Sequence, residues 1–174
     1  LWVLGGWDGT PRNDAWCSED GLSWTSPTSN APWSERFGHA AAVFDNKLWV
    51  FGGRQGSQLL NDVWWTQDGE TWRCAVEHAA WSGRAHHAAA VFDGKLWVLG
   101  GNDGTPRNDV WQSEDGVHWR KSAALSPWAS REKHQALVFE DDLWVLGGWD
   151  GSVYYNDVWR FESDDDEWTC AVAN

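Results

Sequence analysis

Three histidines stand at matched places along the chain: His39, His87 and His134. Each follows an arginine by three residues (Arg36, Arg84, Arg131), and each arginine follows a tryptophan by three (Trp33, Trp81, Trp128). Converging imidazoles can hold a metal ion, and arginines can hold an anion. One such set per repeat, always beside a basic residue, instead suggests buried polar side chains that hydrogen-bond connecting loops. His78, His86 and His118 break the repeat, and none has the spacing of a zinc site. The chain shows no paired nucleophile and base. Its glycine doublets end apolar strands and do not open helices, so they are not phosphate loops. The expectation is no catalytic residue, no metal and no cofactor. Cys74 and Cys170 occupy equivalent positions two units apart, too far for a disulfide, and Cys17 stands alone, so all three are read as free thiols.

The elements that position these residues recur in fixed order. Leu1–Gly6 returns as Leu48–Gly53, Leu96–Gly101 and Leu143–Gly148, at steps of 47, 48 and 47 residues. Asn13–Trp16 matches Asn61–Trp64, Asn108–Trp111 and Asn156–Trp159. An Asp-Gly turn and a tryptophan follow, as in Ser18–Trp24, Thr66–Trp72 and Ser113–Trp119; in the fourth copy the turn is longer and ends at Trp168. The Trp-x-x-Arg-x-x-His segment comes next, then a short apolar run such as Ala40–Phe44. A turn of Asp45-Asn46, Asp93-Gly94 or Asp141-Asp142 closes a hairpin, because these residues tolerate positive φ. Each unit therefore reads as four short strands, the first buried on both faces. A period near fifty fits the blade of a β-propeller.

This order of motifs resembles the kelch repeat over essentially the whole chain. The carrying residues are Arg-x-x-His, Leu-Trp-Val-x-Gly-Gly, Asn-Asp-Val-Trp and the closing Trp. Trp2, Trp49, Trp97 and Trp144 stand where kelch units often carry tyrosine. The resemblance implies an all-β propeller of four-stranded antiparallel blades. It also implies that the first strand of the first blade is often supplied by the C-terminus. Here the units run approximately 1–27 (lacking its inner strand), 28–75, 76–122 and 123–174. The expectation is one kelch-type segment of a six- or seven-bladed ring, or a protomer completed by another chain at its open blade ends; a self-closed four-bladed ring is the alternative. Galactose-oxidase-like copper enzymes are similar in fold, but Tyr154 and Tyr155 are the only tyrosines and lie side by side in one loop. Sialidases carry a turn similar to Ser18–Trp24, which in them is a folding element.

Fifteen of the eighteen tryptophans fall on the repeat and are expected to pack between blades. A formal charge of −13 argues against nucleic acid, since phosphate binding needs clustered Lys and Arg. Much of the acid is turn chemistry, which reads as a solvated rim. Asp164-Asp165-Asp166 is the densest cluster that could draw Ca²⁺ or a basic partner, though it sits on a hairpin tip. No apolar run is long enough to cross a membrane.

Subtracting the repeat leaves the loops from second to third strand. They carry Trp7, Arg12, Arg54, Arg107, Trp149, Tyr154 and Tyr155, residue types enriched at binding hot spots. Trp7 and Trp149 either stand out or fold onto the glycines. The resulting expectation is a non-enzymatic protein–protein interaction or structural scaffold module that binds through this loop face. The alternative is a carbohydrate-binding or carbohydrate-active propeller, galactose-oxidase-like or sialidase-like, with catalytic residues outside the segment.

Overall fold

In the computed structural model, residues 1–122, 126–162 and 167–173 are described. They form fifteen strands and, among the described residues, no helix. The strands make one three-stranded and three four-stranded sheets, each consecutive in sequence and antiparallel throughout. Blade 1 holds β1 (Trp2–Trp7), β2 (Pro11–Cys17) and β3 (Thr25–Thr28). Blade 2 holds β4 (Ala40–Phe44), β5 (Lys47–Gln55), β6 (Gln58–Thr66) and β7 (Arg73–Val76). Blade 3 holds β8 (Ala88–Phe92), β9 (Lys95–Asn102), β10 (Pro106–Ser113) and β11 (Arg120–Lys121). Blade 4 holds β12 (Gln135–Phe139), β13 (Asp142–Trp149), β14 (Tyr154–Glu162) and β15 (Glu167–Val172).

The chain follows the expected strand order, with two local corrections. The glycine doublets do not end their strands. β5 continues through Gly52-Gly53 to Gln55, with a register shift between Phe51 and Gly53 as it pairs with β6. The bulge lets the strand bend and still keep its ladder. The third hairpin turn is Glu140-Asp141, with φ of 50° and 62°, and not Asp141-Asp142. Asp142 belongs to β13 and accepts a hydrogen bond from Arg160 Nε at 2.7 Å. The acidic run Asp164–Asp166 lies outside the described residues.

The core sits between blades. Three apolar clusters fill the three blade boundaries: Ala15, Trp33, Leu48, Val50 and Trp72 at the first; Trp49, Phe51, Trp81, Leu96 and Trp119 at the second; Leu99, Trp128, Val145, Phe161 and Trp168 at the third. Within each boundary the tryptophans meet edge to face, as Trp33 and Trp72 do with centroids 5.6 Å apart. Inner strands are buried on both sides only where both neighbours exist. β8, between β4 and β12, is buried or half-buried at every residue, whereas β4 leaves Val43 64% exposed and β12 leaves Phe139 57% exposed.

The second-strand tryptophans lock neighbouring blades by a close fit. A Cβ on Gly69 would stand 2.2 Å from the Trp2 ring, and one on Gly116 would stand 2.3 Å from the Trp49 ring. Both glycines have positive φ (77° and 76°), so the turn needs glycine for its backbone and for the ring it receives. Trp49→Ala should cost about 3–5 kcal/mol, because it empties a large site that is 2% exposed. Leu22→Ala, at a position 87% exposed, should fall within about 0.5 kcal/mol of wild type. Chemical denaturation of the two variants checks this; equal costs would contradict the packing described.

Candidate functional site

The loops between second and third strands share one face with the Arg-x-x-His segments. Backbone bridges join Phe37 to Arg54, Ala85 to Asn102 and Glu132 to Trp149. The residue after each of these arginine-plus-one positions is Gly38, His86 or Lys133, and each is left-handed, with φ of 62°, 56° and 58°. Successive left-handed residues are hydrogen-bonded from blade to blade. His86 N–H donates to Gly38 C=O at 2.6 Å, and Lys133 N–H donates to His86 C=O at 2.9 Å. His86 and Lys133 hold a backbone conformation that costs a side-chain-bearing residue, which these two bonds offset in part.

The seven loop residues named from the sequence divide into two groups. Arg12 donates to Asp8 through both Nε (2.8 Å) and Nη2 (2.6 Å), and Arg107 Nε lies 2.8 Å from Asp103. These pairs brace their own loops, and the Arg12 guanidinium holds Asp8 below the usual carboxylate range. Tyr155 is a brace as well. Its hydroxyl donates to Asp150 at 2.6 Å, and the Arg131 guanidinium lies 4.4 Å from its ring centroid. Trp7, Arg54, Trp149 and Tyr154 form the other group. Trp7 is 59% exposed and sets its edge on Phe37, with centroids 5.2 Å apart. Arg54 lies 5.5 Å over the same Phe37 ring and donates its Nε–H to Gly56 C=O at 2.9 Å. Trp149 stacks on Tyr154 (6.0 Å, 24°), with Lys133 Nζ 5.0 Å from the Trp149 centroid. Tyr154 itself is 80% exposed.

Between these two aromatic–cation clusters lies a hollow of about 370 Å³, lined by Arg54, Ser57, His86, Asn102, Glu132 and Lys133 among others. Glu132 is 5% exposed and accepts a hydrogen bond from Asn102 Nδ2 at 3.1 Å. Burial lowers the His86 pKa. Phe37, His86, Glu132 and Lys133 were not singled out as site residues by the repeat. The signal was available: they are the two variable positions inside Arg-x-x-His, and they change identity in every copy.

The periodic histidines lie deeper, around a smaller hollow of about 260 Å³ on the inner strands. Each sits against the tryptophan of its own segment, as His134 does against Trp128 at 5.9 Å. Among the described residues, no group of three or more His, Cys, Asp or Glu is placed to hold a metal ion. The arginines turn into their blades: Arg36, Arg84 and Arg131 are 0% exposed and pair with Asp62, Asp109 and Asp157. Among the described residues no helix is long and apolar enough to cross a membrane.

Four-stranded blades, doubled glycines at each bulge and one buried Arg–Asp pair per boundary define a β-propeller of kelch type. The chain belongs to the kelch-repeat family: residues 1–174 match the family model described as the KLHDC2/KLHL20/DRC7 Kelch-repeats domain. No curated protein matches the chain.

Burial, followed by the nearby Arg131 charge, pushes the His134 pKa down to about 4, and burial followed by the Arg84 charge holds His87 well below its usual value. The unfolded chain therefore binds protons on these groups first as pH falls from about 6.5. Stability should be flat above pH 7 and should decline between about pH 6.5 and 4, by up to about 3 kcal/mol for His134 alone. Denaturant unfolding across this range, compared with His134→Gln, checks the sign. A slope that rises with falling pH would contradict neutral buried histidines.

Proposed function

We propose that this chain is a non-enzymatic protein–protein interaction module that receives its partner on the loop face. One observation carries the reading: two aromatic–cation clusters, Trp7–Phe37–Arg54 and Trp149–Tyr154–Lys133, lie at the surface beside a polar hollow on a braced frame, with Trp7, Tyr154 and Lys133 exposed and the other three half-buried. Large rigid aromatics and arginine supply contact area at low entropic cost, as binding hot spots require. Family membership supports a scaffold role. Of the residues named from the sequence, Trp7, Arg54, Trp149 and Tyr154 are the contact set. Arg12, Arg107 and Tyr155 hold the loops that present it.

The units 1–27, 28–75, 76–122 and 123–174 are read as one segment of a six- or seven-bladed ring. Its open blade ends are a second contact surface, for further blades or another chain. That reading rests on the exposed inner strands β4 and β12.

The carbohydrate reading draws on the same Trp149–Tyr154 stack, so one pair of experiments separates the two. A glycan array should show no defined sugar bound, and a partner protein captured by photo-crosslinking from position 154 should lose about 2 kcal/mol of affinity with Trp7→Ala or Tyr154→Ala. The denaturation midpoint of both variants should stay that of wild type. Sugar binding that disappears with Trp149→Ala would overturn the proposal.

A further inference from the structure

The third strands share one position whose residue changes in every blade: Cys17, Trp65, Gln112 and Arg160. In blade 2 the Trp65 indole receives a cation from each neighbouring strand. Lys47 Nζ lies 5.3 Å and the Arg73 guanidinium 5.6 Å from its ring centroid. Backbone register sets this arrangement, because Trp65 is paired with Trp49 on β5 and with Arg73 on β7. Lys47 keeps its place over the ring while also pairing with Asp45 at 2.6 Å.

Blade 3 keeps both cations and the register but not the ring. Lys95 and Arg120 stand at the positions of Lys47 and Arg73, and Gln112 is paired with Trp97 on β9 and with Arg120 on β11. Lys95 is held by Asp93 at 2.5 Å, as Lys47 is by Asp45. Beside Gln112 is a hollow of about 270 Å³, lined by Lys95, Gln112, Glu114, His118 and Arg120 among others. Arg120 turns to Glu114 at 3.7 Å, where blade 2 has the uncharged Gln67. Blades 1 and 4 lack the pair of cations. Thr25 and Thr169 replace the arginine, and in blade 4 Asp142 replaces the lysine and pairs with Arg160 at 2.7 Å.

We propose that the hollow of blade 3 is a binding site for an indole ring from outside the chain, which takes the place that Trp65 fills in blade 2. The ring lies over Gln112, and Lys95 and Arg120 meet it as Lys47 and Arg73 meet Trp65. Indole is the aromatic group that attracts cations most strongly. Arg120 leaves Glu114 to make the contact, at little cost, because an exposed ion pair of this length contributes little. A carboxylate ligand would instead meet Glu114 and Asp115 in the same lining. The site lies at the hairpin-turn end of the blade. The β9–β10 connection, and with it the loop face, lies at the opposite end of the same strands. The loop-face reading and this one therefore stand or fall separately.

The test is a titration of the intact, isotope-labelled protein with two probes, indole and N-acetyltryptophanamide, followed through its amide resonances. Both probes should give saturable shifts at Lys95, Gln112 and Arg120. Lys95→Gln and Arg120→Gln should each weaken binding about two- to fivefold, the size of an exposed cation–π contact. Gln112→Trp supplies the ring from within and should abolish binding. Trp65→Gln should open the equivalent hollow in blade 2 and add a second site, with shifts at Lys47 and Arg73. Tighter binding of N-acetyltryptophanamide assigns the ring to a tryptophan of a polypeptide partner; equal or tighter binding of indole assigns it to a free small molecule. Absence of saturable binding, unchanged binding by Gln112→Trp or by both cation variants, or shifts confined to other blades would each overturn the proposal. A folded Trp65→Gln protein without a second site would overturn it too, and Gln112→Trp decides the matter if Trp65→Gln does not fold.

Discussion

The buried arginine of each blade boundary is the constraint on which the rest of the structure depends. Arg36 is fully enclosed, yet all five of its side-chain N–H groups are used. Nε donates to Ser34 C=O, Nη1 to Gly52 C=O and Asp62, and Nη2 to Ser34 Oγ and Asp62. Removing one partner from such a pair leaves an uncompensated buried charge, typically at a cost of about 3–5 kcal/mol. The pair as a whole contributes geometry more than net stability. It fixes the distance between the glycine bulge, the third strand and the loop arriving from the previous blade. In blade 4, Ala129 stands where Ser34 and Ser82 supply a hydroxyl, and Arg131 keeps its contacts to Asp157, Gly147 C=O and Ala129 C=O. The serine bond is therefore the expendable one.

The remaining repeated residues are explained by that arginine. The aspartate that receives it also accepts the indole N–H of the third-strand tryptophan, at 2.7–2.8 Å in Trp64, Trp111 and Trp159. The asparagine one position earlier turns to the next blade. Asn61 Nδ2 donates to Ala79 C=O and Trp81 C=O, which holds the Trp-x-x-Arg segment in place for the following arginine. Asn-Asp is thus one residue for each neighbour. The first glycine of the doublet leaves space for the same segment: a Cβ on Gly52 would stand 3.1 Å from Arg84 C=O and 2.8 Å from Leu60 C=O.

Most of the scaffold was legible in the sequence because these contacts recur at a constant period and demand particular residue types. The limits were equally physical. Arg12 and Arg107 look like free cations beside a turn, and only the folded loop brings Asp8 and Asp103 within reach of them. The strand that runs on past Gly52-Gly53 was hidden because a bulge keeps the ladder while breaking the two-residue alternation. Phe37, His86, Glu132 and Lys133 were hidden by their place inside the most regular motif of the chain. The motif fixes only its first and last residues, and the two between them are left to the loop face.

The charge pattern follows the same division between frame and loop. The chain is acidic, yet many of its carboxylates are committed within the fold. Asp20 accepts the backbone N–H groups of Leu22 and Ser23 and the Ser18 hydroxyl, which draws its pKa down to about 2. Asp68 closes the equivalent turn in blade 2 in the same way. Asp62, Asp109 and Asp157 are matched by arginines in the boundaries. These acids form turns and blade contacts. The positive charges of Arg54 and Lys133 instead lie over aromatic rings at the loop face. A cation held over an aromatic face keeps its position without a carboxylate to neutralise it. The loop face therefore presents the Arg54 and Lys133 charges against aromatic surface, beside a frame many of whose acids are committed to turns and blade boundaries.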